Sequence, residues 1–231
     1  MTSCAKSLSI RRTQLARDTP FSFSCMRCLK CCKSKKIQVN SYEVARMARN
    51  LGISTTEFID HYTTENGSYL KSDGNNSCIF LSATGCMVHS DRPLVCRLYP
   101  LGRHLNEKGV EWFSEVEPEP GCCAVYGGDS SIQTYLDEQE TQIYLDAANS
   151  YLRLLWEMMI LLENCTEEDE CSSESKRSDG EANSLIENAN LMDMDCVVRN
   201  YCLERSMPFP PDVEEKTRMH QNALQFWIKQ S

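Results

Sequence analysis

Four thiols fall within eight residues of this chain, in the run Cys25-Met-Arg-Cys28-Leu-Lys-Cys31-Cys32. A thiolate is a soft anionic donor that suits zinc, iron and iron–sulfur clusters. In a C-x2-C step the chain turns tightly enough for two sulfurs to reach one centre, and the amides of the turn can hydrogen-bond them. Left unligated, four crowded thiols are an oxidation hazard in any compartment. Successive side chains diverge, so Cys31 and Cys32 are not expected to point at one ion together. One then ligates while the other faces a second ion, the core or a redox partner, and the spacing is compatible with either assignment.

Three further cysteines extend the set. Cys78, Cys86 and Cys96 are spaced too widely for one knuckle, but each sits beside an element that would hold it rigid: a strand end, a strand start and a short helix in Arg92-Pro-Leu-Val-Cys96-Arg-Leu-Tyr-Pro100. Lys30, Lys33, Lys35 and Lys36 flank the first block, and Arg92, Arg97 and Arg103 the last. Their cations would offset thiolate charge or hydrogen-bond sulfur, against the plainer reading of surface pairing with acids. Cys86-Met-Val-His89 has knuckle spacing, which makes His89 a weaker candidate ligand. His61 and His104 read as surface or capping residues and His220 as a core histidine. Four scattered histidines support no nucleophilic triad, and the 33 acidic residues show no pair suited to acid–base work.

These blocks resemble the YkgJ-like cysteine-cluster proteins of the zinc- or iron-chelating CxxCxxCC domain family. The resemblance rests on Cys25, Cys28, Cys31 and Cys32; on Cys78-Ile-Phe-Leu81 and Gly85-Cys86-Met-Val-His89; and on Arg92-Pro93, Cys96-Arg97 and Tyr99-Pro100. It covers about residues 21 to 100. Further on, where that family often carries C-P-G, this chain has Glu119-Pro120-Gly121 followed by Cys122 and Cys123, so the expected thiolate has shifted, with Cys122 preferred over Cys123. The resemblance implies metal chelation and leaves zinc and an iron–sulfur cluster both open. Flagellin lysine methylases carry a similar cysteine motif, which keeps a protein methyltransferase in view. The C-x3-C-x2-C arrangement of radical enzymes and a Gly-rich strand-to-helix loop are both missing from the sequence.

The elements that must position these thiols are short. Asn40 to Glu43 reads as a capping box opening a helix that carries Val44, Met47, Ala48 and Leu51, with Gly52 as its stop. Ser54 to Glu57 opens a second helix, ending near Gly67. Cys78–Leu81 and Cys86–Val88 suggest two strands about a Gly turn. Asp91-Arg-Pro93 suits the start of a short helix ended by Pro100, and residues 110 to 116 suggest a strand. From Asp129 an apolar stripe running to Leu162 predicts one long helix. An acidic, Ser-rich linker follows at 164–183, holding Cys165 and Cys171 as bystanders. Ser184 opens a further helix, and Asp212 caps a last one.

The expected architecture is therefore α+β: a flexible arm at 1–18, a metal-organised domain at 19–128, an amphipathic helix at 129–163, the linker, and C-terminal helices at 184–231. With 231 residues, 14 cysteines, no apolar signal core and no run long enough to span a bilayer, a cytoplasmic protein is expected, and cysteine usage points to metal rather than disulfides. The net charge of −9 argues against a nucleic-acid partner. The leading function is binding of iron, as an iron–sulfur cluster, or of zinc. The set of Cys25, Cys28, Cys31, Cys32, Cys78, Cys86, Cys96 and Cys122 exceeds the four ligands of one zinc ion but would suit two. The tilt toward the cluster rests on the nearby cations and on adjacent Cys31 and Cys32, easier to place around a cluster's spread metal corners than around one tetrahedral ion. The alternatives are a cluster-dependent protein-modifying enzyme and a structural zinc module that presents the C-terminal helices to a protein partner.

Overall fold

The computed structural model describes residues 9–168 and 190–229, with side chains for all of these except 162–168. In chain order it contains strand β1 (Ile10–Leu15), helices α1 (Ser41–Leu51) and α2 (Thr55–Tyr62), and the short strands β2 (Thr63–Thr64), β3 (Tyr69–Leu70), β4 (Leu81–Ser82) and β5 (Gly85–Cys86). Helix α3 (Leu94–Leu98), strands β6 (Leu101–Leu105) and β7 (Glu111–Val116), and helices α4 (Ile132–Glu138), α5 (Gln142–Glu168), α6 (Met194–Glu204) and α7 (Val213–Ile228) complete it. The class is α+β, with the helices concentrated toward the C-terminus. Among the described residues no helix is long and apolar enough to cross a membrane.

The chain divides into two compact units, Met1–Ile37 with Lys71–Ile143, and Gln38–Leu70 with Tyr144–Ser231. This differs from the continuous 19–128 domain expected from composition. The reason lies in α1 and α2, whose apolar faces pack with α7 and α6 respectively. Both helices start at full capping boxes, Asn40 with Glu43 and Ser54 with Glu57, as expected, and Gly52 closes α1 in the left-handed conformation at φ 70°. Val44, Met47, Ala48 and Phe58 are buried. Polar bonds lock α2 to the start of α6: Thr55 donates through Oγ1 to Asp193 at 2.6 Å and receives the Asp195 amide at 2.8 Å. Asp193 caps α6 itself by accepting from the Cys196 amide. Asp212 caps α7, as expected.

His220 lies at the centre of this helical unit, fully buried. The Leu191 carbonyl can only accept, so His220 Nε2 donates to it at 3.0 Å, and Nδ1 accepts from the Tyr151 hydroxyl at 2.9 Å. The ring is thus held neutral, and burial pushes its pKa down to about 4. Between about pH 6.5 and 4 the unfolded chain therefore binds a proton that the folded one refuses. Stability should fall on acidification through that window, by roughly 3 kcal/mol in all, and this contribution should be flat above pH 7. Urea unfolding at pH 7 and 4.5 checks it: His220→Gln should show a smaller pH-dependent loss than the native chain, and equal losses would exclude the account.

The first unit is built on a three-stranded antiparallel sheet of order β1-β7-β6. β1 corrects the expectation of a flexible arm through residue 18, because Ile10–Leu15 pairs with β7. Arg11 and Arg12 both reach the buried Glu115 carboxylate, at 3.2 and 2.6 Å. Arg17 and Arg103 likewise clamp Glu111, whose carboxyl sits below its ordinary pKa because these two hydrogen-bonded cations outweigh its burial. The core gathers Phe21, Phe23, Phe80, Val88, Leu98, Leu101, Phe113, Ile132, Tyr135 and Leu136.

The single helix expected from 129 to 163 is broken. α4 ends at Glu138 and α5 begins at Gln142, with Glu140 at φ 51° between them. The break turns the Gln139 carbonyl out of any helical ladder and offers it to Arg97 at 2.8 Å. The backbone of α5 continues to Glu168, so the expected linker starts later than 164. The rest of the linker, Cys171 and the expected helix start at Ser184 lie outside the described residues, as does the Cys165 side chain.

Candidate metal centre

Three segments of the first unit carry the cysteines, and short backbone links hold them. Ser24 exchanges amide bonds with Val125 at 3.0 and 3.2 Å, fixing the strand that leads into Cys25. Arg27 and Leu29 both take left-handed backbone conformations, at φ 51° and 64°, which gives the tight turning that C-x2-C steps need. Lys30–Cys32 then forms a single 3-10 turn. Its end is tied to the second block, because the Cys78 amide donates to the Cys32 carbonyl at 2.9 Å and Ser34 donates to Asn76 at 2.7 Å.

The second block forms a hairpin shorter and later than expected. β4 and β5 cover Leu81–Ser82 and Gly85–Cys86, with Leu81 opposite Cys86. Cys78 lies before the strand, in a turn where the Leu81 amide donates back to its carbonyl at 2.9 Å. Cys96 is carried by α3, which begins at Leu94 after a separate 3-10 turn at His89–Asp91. Arg97 fixes that helix from within. It is 3% exposed and donates to the carbonyls of Ser90, Arg92 and Gln139. Tyr135 adds a hydroxyl bond to the Tyr99 carbonyl at 2.7 Å.

The sulfurs meet in pairs. Cys28 Sγ and Cys122 Sγ lie 3.8 Å apart, within hydrogen-bond range for two sulfurs. Cys32 donates to Cys31, so the two sulfurs are in contact although successive side chains of this 3-10 turn are set about 120° apart. This bond lowers the Cys31 pKa and raises that of Cys32. The pairs also feel one another. Cys31 bears electrostatically on Cys28, Cys86 and Cys122, and Cys86 and Cys96 bear on Cys32. Cys78 lies within the field of Cys86. Among the described residues, no group of three or more His, Cys, Asp or Glu side chains is arranged to grip a single ion.

One feature repeats around the site. The Cys25 sulfur accepts the amide of Arg27, two places on, at 3.4 Å, and the amides of Lys30, Phe80, Val88 and Ala124, each two places after a cysteine, favour the ionised form of Cys28, Cys78, Cys86 and Cys122. Cys28 receives a second amide from Cys123. Those two amides hold its thiol below the ordinary pKa, whereas burial pushes Cys78, Cys86 and Cys122 up.

Cations stand close, though not all those expected. Lys35 favours the charged form of Cys31, and Arg92 that of Cys86; Arg92 also lies in the fields of Cys96 and Cys25. Arg97 instead binds backbone carbonyls, and Arg103 pairs with Glu111. His89 is held by Arg92, which approaches its Nδ1 at 3.4 Å, and burial lowers its pKa. His61 and His104 are exposed, and His104 stacks on Trp112. Of the adjacent pair Cys122 and Cys123 it is Cys122 whose sulfur meets the first block, while Cys123 is exposed.

Sequence reading missed a small polar group here. Lys35 lies 4.6 Å over the Tyr99 ring and 3.3 Å from the Glu119 carboxylate, and the Tyr99 hydroxyl accepts the Glu119 amide at 2.9 Å. Burial pushes Tyr99 up to about 12. The only available signal was that Glu119 stands where the resembling family carries cysteine.

The donor set fits a thiolate-bound metal: soft sulfurs, amides aimed at them, and two cations to offset their charge. Residues 24–123 match the model of a family described as "CxxCxxCC: Putative zinc- or iron-chelating domain". An uncharacterized protein of Methanocaldococcus jannaschii is 26% identical over 139 residues, which is 54% of this chain and 75% of its own length. No solved structure matches the chain.

Proposed function

Residues 24–123 of this chain belong to the CxxCxxCC family of zinc- or iron-chelating domains, and from that premise we propose that it holds a metal centre on Cys25, Cys28, Cys31, Cys32, Cys78, Cys86, Cys96 and Cys122. The observation that carries this reading is the recurring pairing of a cysteine with the amide two residues on, at Cys25, Cys28, Cys78, Cys86 and Cys122. A neutral thiol is a weak acceptor, so amides aimed at sulfur return little until the sulfur is ionised. Ligation ionises it, and the same amides then stabilise the thiolate and tune the centre. Lys35 and Arg92 would offset part of the remaining negative charge.

The contact between Cys31 and Cys32 favours an iron–sulfur cluster, since both can then face one extended centre. Ligand number does not choose, because a cluster and a zinc ion each take four thiolates and two zinc ions would take eight. Zinc stands as a second reading on the separation of Cys28 and Cys122. Their 3.8 Å is the edge of a zinc–thiolate tetrahedron, about 3.8 Å for bonds of about 2.3 Å.

Protein purified without oxygen should carry at least one equivalent of metal per chain, greatly reduced in Cys28→Ser. Brown material with iron and acid-labile sulfide would select the cluster, and colourless material with zinc the tetrahedral site. Metal-free protein whose thiols all react freely under native conditions would sink both.

A further inference from the structure

We propose that Cys28 and Cys122 are a redox modification site: on meeting a hydroperoxide they form a reversible disulfide, and the site gives up its metal. The disulfide stands on the geometry of the two sulfurs alone, whereas the metal release rests on the function proposed above. The sulfurs are 3.8 Å apart and both side chains are partly exposed. Closing to a bond of about 2.04 Å takes less than 2 Å of travel. That distance is within reach of side-chain rotation and a small shift of the turn in which the Cys122 amide donates to Glu119.

The competing pairs are worse placed. Cys31 and Cys32 are in contact, but they are adjacent, so their Cα atoms lie about 3.8 Å apart, below the usual span of about 4.4–6.8 Å for a disulfide. The same objection applies to Cys122 with Cys123. Cys28 and Cys122 are 94 positions apart and free of it.

The chemistry balances with a hydroperoxide as the oxidant. The Cys28 sulfur, 3.8 Å from that of Cys122, attacks the terminal peroxide oxygen as thiolate. An S–O bond forms, the O–O bond breaks, and the leaving alkoxide or hydroxide takes up the thiol proton. The Cys122 thiol then attacks the sulfenic sulfur, the S–S bond forms, and water departs with the second proton. Two donors are withdrawn from the set, one from each of two segments.

The test uses the full chain, reduced and then treated with one equivalent of hydrogen peroxide. The expected product is lighter by about 2 Da, the mass of two hydrogens, and is restored by dithiothreitol. Its non-reduced peptide map should link Cys28 to Cys122. Cys123→Ser should keep the link and Cys122→Ser abolish it. A map dominated by Cys31–Cys32 or Cys122–Cys123, or oxidation to sulfinic acid without linkage, would overturn the proposal. Metal assayed on the same samples should leave in step with the link, and full retention by the disulfide form would overturn the release. If the reduced protein holds no metal, the function above fails, while the peptide map still decides the disulfide.

Discussion

Stripping the metal should open the cysteine loops and leave the helical unit folded. Ligation by a structural thiolate site contributes on the order of 10 kcal/mol to the folding of the segments that supply the ligands. Apart from the buried Phe80, Val88 and Leu98 and the bonds of Arg97, residues 24–36 and 71–99 are held by two-residue strands, short helical turns and a handful of backbone links. The second unit has its own core of Val44, Met47, Phe58, Tyr144, Leu145, Val197, Leu224 and Trp227. Amide exchange measured by mass spectrometry before and after treatment with a strong chelator should show protection lost by at least a hundredfold in those loops. Peptides from α1, α6 and α7 should be unchanged. Uniform loss across both units, or none anywhere, would contradict the assignment of the metal to the loops.

Replacing Arg97 should be nearly as damaging, for a reason separate from metal. Its guanidinium is buried and donates to three carbonyls, those of Ser90, Arg92 and Gln139. Arg97→Met keeps much of the apolar stem but leaves three part-buried carbonyl acceptors without their donor. At about 1–3 kcal/mol for each unsatisfied group, with partial relaxation, the loss should be about 4 kcal/mol. Arg97→Lys should recover little, because one ammonium cannot serve three carbonyls in the fork geometry of a guanidinium. Denaturant unfolding of the native and variant chains, compared at equal metal content, measures it. A change under 1 kcal/mol would mean that the knot is not structural. Since the same bonds seat α3, metal affinity in the variant should fall as well.

Much of this was legible in the sequence, and what was not has local causes. Both N-terminal capping boxes and the Asp212 cap could be read because side-chain identity and spacing determine the bond. The thiol blocks could be read for the same reason, and of Cys122 and Cys123 it is the Cys122 sulfur that lies beside Cys28. The helix break at 139–141 was hidden. Its cause is the pull of Arg97 on a carbonyl 42 positions away, which leaves no trace in local periodicity. β1 was lost for a similar reason. Its residues are nearly all exposed, so no alternation of apolar side chains marks it, and the ion pairs with Glu115 come from a distant strand.

The interruption of the cysteine-bearing unit by residues 38–70 has a consequence for chain entropy. Cys32 and Cys78 are 46 positions apart, a long loop to close before a shared centre can form. The inserted segment closes most of it beforehand: Gln38 bridges to Tyr69, and the Val39 amide donates to Ser68 at 2.9 Å. Once α1, α2 and that bridge are in place, the flexible span between the two cysteines shrinks to roughly a dozen residues. With closure scaling as 1.5RT ln n, this lowers the cost of joining them by about 1 kcal/mol, a several-fold rise in the effective concentration of one sulfur block about the other. The helical insert thus acts as a preformed clasp, and a chain that folds it first meets its metal with the donors already gathered.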